Sequence, residues 1–219
     1  MYSQKNEDSH IINYFEAYHG KNFIGNLLDI GANDGITISN SRALIERGWR
    51  GDLVEPAAIP FKKLENLYLN NDEIKLHQIA LDNKIGTTTF YESGSHLSSK
   101  DSGLLSTIVA SEKKRWWLYR TRYTEYEITT VDFKSFRDKH SLYGTWDFIS
   151  IDAEGKDWDI LQQIDLKKVG CKCLCVEHNG ENTQQYIDYG KSHGLSILLI
   201  NNINVIMADK NNYAATSSL

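Results

Sequence analysis

The property that most constrains this chain is a change of hydrophobic period that recurs from near its start to its end. Short apolar runs with strand character alternate with stretches apolar at helical spacing, which is the pattern of an α/β domain on a mainly parallel sheet. Ile11, Ile12, Phe15 and Tyr18 recur at helical spacing, and residues 23–30 (FIGNLLDI) then read as a buried strand ending in a Gly-containing turn. The next helix takes Ser39 or Ser41 as its cap, carries Ala43, Leu44 and Ile45, and stops at Gly48. A strand over 52–55 precedes a helix opened by Pro60, with Phe61, Leu64, Leu67 and Tyr68 as its apolar stripe. Strands follow over 74–81 and 87–91. The rhythm breaks at 93–126, which is longer than an ordinary connection and reads as a lid or binding loop. It resumes with strands over 128–131, 147–151 and 171–176, and with helices ending near Lys139, opening at Asp157 and spanning 183–192. Residues 195–200 and 205–208 flank the turn NNIN, short enough to make them an antiparallel hairpin.

The chain has 219 residues, the size of one generous domain, so a single domain over 1–219 is expected, with an N-terminal motif (1–20) and the lid at 93–126. Lys and Arg number 24 against 29 Asp and Glu, a formal charge of −5, so no global basic field exists to hold a nucleic acid or an anionic membrane. The longest wholly apolar run, Ile197 to Ile200, is far short of the ~20 residues a membrane-spanning helix needs. The N-terminus lacks the basic and apolar regions of a secretory signal, and the chain reads as cytoplasmic. Cys171, Cys173 and Cys175 alternate in one apolar segment, so they are expected on one strand face as buried, reduced thiols. Nothing in the pattern specifies an oligomeric state.

The strongest local signal is LLDIGANDG, residues 27–35, which sets an acid, a glycine turn and a helix start at the carboxyl end of the first strand. Glu55 ends the second strand, 24 residues beyond Gly31, where an acid can accept both ribose hydroxyls. A dinucleotide site would need glycines where Asn33 and Ile36 stand, so close approach to a pyrophosphate is not provided. A ribose ligand without a diphosphate fits better. S-adenosylmethionine is one, and Asp29 and Asp34 would favour its sulfonium and ammonium. Pro56 directly follows Glu55 and Pro60 opens the next helix, so both stiffen this turn.

LLDIGANDG, SNSRALIERGWRG, VEP, and FISIDAEGKDWDIL followed by CVEHN stand in the order found in the FkbM-type family of S-adenosylmethionine-dependent methyltransferases. YSQKNEDSHI also resembles that family's opening motif, so the resemblance runs from residue 2 to about residue 180. It implies a Rossmann-like seven-stranded methyltransferase sheet of order 3-2-1-4-5-7-6, with the last strand antiparallel and helices on both faces. It also implies methyl transfer to oxygen, often of a sugar hydroxyl or a polyketide alcohol. Carried over by position, the resemblance places Asp29, Gly31, Ala32, Asn33, Asp34 and Gly35 around the methionine end. Glu55 and Pro56 would lie at the ribose and Asp82 at the adenine amino group, with Gln4 and Ser39 as further candidates for the methionine carboxylate. Asp8 reads as a helix cap.

Asp152, Glu154, Glu177 and His178 end the two strands that would flank the transferable methyl. An alcohol loses its proton far above neutrality, so O-methylation needs a base or a metal. In one route Asp152 and Glu177, with Asn179, ligate a Mg²⁺-like ion that binds sugar hydroxyls. In the other, Glu154 or His178 is the base and Asp152 orients it. Glu154 also fits a tight turn before the Asp157 helix, and His178 also fits a surface loop. Residues 113–123 hold five basic residues, four aromatics and no acid. Trp116, Arg120 and Arg122 are the candidate acceptor contacts, while Trp116 and Trp117 fit equally the packed face of an amphipathic lid helix.

The leading expectation is thus an S-adenosylmethionine-dependent O-methyltransferase acting on a sugar or glycan-like hydroxyl, with Mg²⁺ as the optional second cofactor. The competitors are an RNA or nucleotide methyltransferase that uses 113–123, and a non-catalytic binding module on the same fold.

Overall fold

A computed structural model of the chain describes residues 1–95, 103–117 and 121–210. In chain order the elements begin with α1 (Glu7–His19), β1 (Asn26–Ile30), α2 (Arg42–Ile45), β2 (Arg50–Val54), α3 (Ala58–Leu67) and β3 (Ile74–His77). Next come β4 (Ala80–Leu81), β5 (Gly86–Ser93), α4 (Ala110–Trp117), β6 (Tyr123–Val131), α5 (Phe133–Lys139) and β7 (Phe148–Ile151). The chain continues through α6 (Asp157–Leu161), β8 (Cys173–Glu177), α7 (Thr183–Ser192), β9 (Ser196–Ile200) and β10 (Asn204–Ala208).

Seven strands form one sheet in the order β3-β2-β1-β7-β8-β10-β9, which is the expected 3-2-1-4-5-7-6 when its own strands are counted along the chain. Pairing is parallel from β3 to β8, and β10 runs antiparallel to both β8 and β9. The central strands are buried along nearly their whole length, as strands covered on both faces must be. Successive side chains point to opposite faces, and this alternation builds two cores. Leu27, Phe148, Cys173, Cys175 and Ile206 pack with α1 to α3, whereas Leu28, Ile149, Leu174, Val176 and Met207 pack with α5 to α7.

Three expectations are corrected by this topology. The strand expected over 74–81 breaks at Gln78 and Ile79: β3 stays in the large sheet, while β4 leaves to pair with β6 in a second sheet of order β4-β6-β5. The expected lid is not one loop: residues 110–117 of it are helix α4, and its last residues, 123–126, are the start of β6, which forms a long antiparallel ribbon with β5 from Gly86↔Thr130 to Ser93↔Tyr123. Cys171 precedes β8 and packs in the opposite core from Cys173 and Cys175, so only two of the three thiols share a face. All three are free and buried.

Two buried acids lock the sheets to their helices. Asp52 of β2 accepts hydrogen bonds from His77 Nε2 (2.8 Å), Ser141 Oγ (2.7 Å) and Trp146 Nε1 (2.9 Å), tying the loop after α5 to the large sheet. Glu92 of β5 accepts from the Ile59 amide (3.1 Å) and from Tyr126 Oη (2.8 Å), while that Tyr126 hydroxyl accepts from the Ala58 amide (3.2 Å). The open N–H groups at the start of α3 are thereby satisfied by the second sheet, with a negative charge on the favourable end of the helix dipole. The ribbon is thus fixed beside the carboxyl end of β2. Among the described residues no helix is long and apolar enough to cross a membrane.

Candidate active site

The parallel strands β2, β1, β7 and β8 end on the same edge of the sheet, and each delivers an acid there: Glu55, Asp29, Asp152 and Glu177 respectively. Together with the β5–β6 connection they line a cavity of about 220 Å³. This is where open α/β sheets bind ligands.

One half of the cavity is built by the glycine turn. Gly31 has φ +87°, and a Cβ there would overlap the Asp152 carbonyl oxygen, so only glycine lets β1 and β7 meet at this point. The Gly31 and Ala32 amides donate to the Val54 carbonyl (2.9 and 3.1 Å), holding the turn against the end of β2. Glu55 is 4% exposed. Its Oε1 accepts from the Ala57 amide (2.6 Å) and its Oε2 from the Asn33 amide (2.9 Å). Burial, with the nearby Glu92 and Asp29 charges adding to it and those two amides opposing it, pushes its carboxyl up to about 8. Asp29 is buried too, and accepts from Ser41 Oγ at 2.5 Å. Burial raises it to about 6, against the hydrogen bonds from Ser41 and Ser150.

Gln4, Asp29, Gly31, Ala32, Asn33, Ser39, Glu55 and Pro56 all line the cavity. Three expected cofactor residues do not. Asp34 is the anchor of its own turn, accepting from the Ile36 and Thr37 amides (3.0 and 2.7 Å) and from Thr37 Oγ1 (2.9 Å). Gly35 packs against Leu64 and Leu67. Asp82 is paired with Lys156 at 2.9 Å, and the cavity is faced by Lys156 instead. Ile38 and Asn40 line the cavity unforeseen. Ile38 holds φ +59°, a costly conformation for a β-branched residue, and strain of this kind concentrates at functional sites.

The other half is lined by the carboxyls of Asp152, Glu154 and Glu177, with Asp157 close to them outside the lining. Asp152, Asp157 and Glu177 each bring one oxygen within 4.8 Å of the others. Burial pushes Asp152 up to about 7, with the Asp157 and Asp29 charges adding to it. Burial raises Asp157 to about 6, although the Ala153 and Gly155 amides donate to it (2.8 and 3.2 Å). Glu154 and Glu177 are raised well above the carboxylate range by burial and by their acidic neighbours, with Arg115 opposing. So many acids in one enclosure hold protons or a cation rather than stay fully ionised. Glu154 lines the cavity from a left-handed backbone (φ 45°).

His178 is corrected. Its Nδ1 accepts from the Gly180 amide (2.9 Å) and Thr183 Oγ1 (2.8 Å), and its Nε2 donates to the Asn201 carbonyl (3.0 Å). Both ring nitrogens are engaged, which leaves no lone pair for a substrate proton.

α4 lies over the acid cluster. Thr107 Oγ1 donates to the Glu154 carbonyl (2.7 Å), and a Cβ at Gly155 would meet Glu112 Cγ at 2.9 Å. Arg115 pairs with Glu112 (3.1 Å) and stacks on the Trp116 ring (4.9 Å), and Trp116 lines the cavity. Lys113 pairs with Glu125 and sits over the Tyr91 ring. Lys113 and Arg115 are therefore engaged within the chain. Arg122 is exposed, and Arg120 lies outside the described residues.

The fold is similar to that of a hypothetical protein from Thermus thermophilus (10% identity, TM-score 0.50, covering 94% of this chain and 86% of that one). Also similar are a methyltransferase from Geobacter sulfurreducens (8% identity, TM-score 0.49, 95% and 80% covered) and the precorrin-6y C5,15-methyltransferase from Geobacter metallireducens (11% identity, TM-score 0.47, 94% and 92% covered). At 10% identity the likeness to the Thermus thermophilus protein speaks for the fold alone. No curated protein sequence matches the chain. The methyltransferase FkbM domain matches residues 29–205, from the first acid of the cavity to the antiparallel strand that completes the sheet, and the chain therefore belongs to the FkbM methyltransferase family.

Proposed function

We propose that this chain, as one domain over residues 1–219, transfers a methyl group from S-adenosylmethionine to a hydroxyl of a sugar or glycan-like acceptor. The observation that carries the proposal is that one cavity joins a ribose-type acid, Glu55, to the proton-holding cluster of Asp152, Glu154 and Glu177 under a lid helix.

The donor set fits the cofactor. Each Glu55 oxygen accepts one backbone N–H, and a carboxylate oxygen has a second acceptor site left for a ribose hydroxyl. Asp29 and Asp152 supply the negative surroundings that a sulfonium and an ammonium prefer. S-adenosylmethionine, when bound, supplies an electrophilic methyl group; the protein's residues must hold it, align the acceptor and take its proton. Glu154, in its ionised form, is the proposed base: it faces the cavity, and its raised proton affinity suits it to take the acceptor's proton as the oxygen attacks. Asp152 and Glu177 accept from neighbouring acceptor hydroxyls, which suits a polyol, and Trp116 offers a face for a sugar ring.

A second route rests on the three clustered carboxylates. Asp152, Asp157 and Glu177 are hard oxygen donors that would suit Mg²⁺, which would acidify an acceptor hydroxyl bound to it. Activity that survives EDTA favours Glu154 as base, and activity restored by Mg²⁺ after EDTA favours the metal route. Calorimetry with S-adenosylhomocysteine tests the proposal as a whole: tight binding of one equivalent is expected, and a folded protein that binds none overturns it.

A further inference from the structure

The motif YSQKNEDSHI lies outside the matched residues 29–205, yet two of its acids, Glu7 and Asp8, are completely buried. Asp8 closes the segment on itself, accepting from the Tyr2 amide (2.7 Å), Ser3 Oγ (2.8 Å) and the Ser9 amide (2.9 Å). Tyr2 Oη donates to Glu46 (2.6 Å), which pins the segment's outer end near α2. Glu7 pins the inner end. Its Oε2 accepts from the Lys5 amide (2.6 Å), and its Oε1 accepts from Asn201 Nδ2 (2.9 Å) and Asn204 Nδ2 (3.0 Å) in and beside the β9–β10 turn.

That turn is itself tied to the acid cluster. Asn201 Oδ1 accepts from the Ile203 and Asn204 amides (2.8 and 2.7 Å), and its carbonyl accepts from His178 Nε2. The Ile203 carbonyl accepts from the His178 and Asn179 amides (2.8 and 3.1 Å), and Asn204 is in register with Glu177. A continuous chain of hydrogen bonds thus links residues 2–7 to the end of β8. Gln4 from the segment and Ile203 from the turn both line the cavity.

We propose that Glu7 is a positioning residue for this site: it holds residues 2–6 against the β9–β10 turn, so that Gln4 and Ile203 form the closing wall beside Glu177. His178 serves the same assembly from the other side. A carboxylate in the first turn of a helix is well placed while facing water, whereas complete burial costs free energy unless the buried charge is well hydrogen-bonded. Here its hydrogen-bond donors fix where the wall stands, and an apolar residue would take away the acceptor of the Asn201 and Asn204 Nδ2 groups and of the Lys5 backbone N–H.

The inference rests on the cofactor reading above, and full-length variants separate the two. Wild-type protein is first titrated with S-adenosylhomocysteine; no binding means that the cofactor reading has failed. Given binding, Gln4→Ala and Glu7→Gln should each weaken it by roughly tenfold, the worth of one hydrogen bond to a charged group. The losses in the double variant should fall well short of additive, because much of the effect of Glu7 passes through Gln4. The KM for S-adenosylmethionine should rise more than kcat falls, and Gln4→Ala should melt at the wild-type temperature. Lys5→Ala, whose side chain is exposed and does not line the cavity, should bind like wild type. Wild-type affinity in Gln4→Ala, or independent and additive losses in the double variant, would overturn the inference.

Discussion

Glu55→Gln gives the sharpest perturbation of the cofactor half. In the ligand-free protein Glu55 is held up to about 8 by burial, so at pH 7 roughly a tenth of the molecules carry the carboxylate that can accept two ribose hydroxyls. Binding must draw on that fraction, and affinity should therefore rise about tenfold between pH 7 and pH 9. Glutamine has one carbonyl oxygen, so it cannot serve both the Ala57 and Asn33 amides and two hydroxyls. Losing a charge-assisted acceptor costs about 1.5–3 kcal/mol, or roughly 10–150-fold in affinity. Calorimetry with S-adenosylhomocysteine from pH 6 to pH 9 should show the wild-type to Glu55→Gln ratio near a hundredfold at pH 9 and shrinking to a few-fold at pH 6. The ligand's own amine titrates equally in both titrations and cancels in the ratio. Stability has the opposite sign. The folded protein holds this proton beyond the pH at which the unfolded chain releases it, so the ligand-free fold loses stability as pH rises from the ordinary carboxylate range to about 8. A pH-independent ratio, or equal affinities at pH 9, would refute this account of Glu55.

Gly31→Ala should destabilise by about 3 kcal/mol or more, combining a left-handed alanine with a Cβ driven into the Asp152 carbonyl; a urea midpoint within error of wild type would contradict it. Asp52→Asn should cost about 2–4 kcal/mol, because its NH₂ would face one of the donors His77, Ser141 or Trp146, and an unfolding change below about 0.5 kcal/mol would contradict that network. Hydrogen bonds from His77, Ser141 and Trp146 outweigh burial and hold Asp52 below the usual carboxylate range, so its contribution should be lost on acidification through that lowered value, not on raising the pH. Glu154→Gln should retain S-adenosylhomocysteine binding and lose methyl transfer by about 10²–10⁴-fold, and a variant with wild-type turnover would remove Glu154 as base.

The large sheet was legible because its central strands are short apolar runs and its last connection is too short for anything but a hairpin. The acids at the strand ends were legible for the same reason: once β1, β2, β7 and β8 are placed, Glu55, Asp29, Asp152 and Glu177 must share an edge. What stayed hidden depends on partners distant in sequence. IKLHQIAL reads as one strand, and only pairing with β6 separates Ala80 and Leu81 from it. The ribbon strand β6 is rich in Thr, Tyr and Glu and half exposed, so it carries little apolar signal at its start. Asp82 looked available until Lys156 was brought against it, and His178 until Asn201, 23 residues on, met its second nitrogen. The positive φ of Ile38 has no sequence signature, since isoleucine is among the residues least suited to it.

Methyl transfer from isotopically labelled S-adenosylmethionine to a panel of sugar acceptors, read by mass spectrometry of the acceptor, tests the central claim most directly. Label on an acceptor oxygen is predicted for the wild type, reduced in Glu55→Gln and Glu154→Gln. Label that passes to nitrogen, to carbon or to RNA, or that stays on the cofactor with every acceptor, would contradict it.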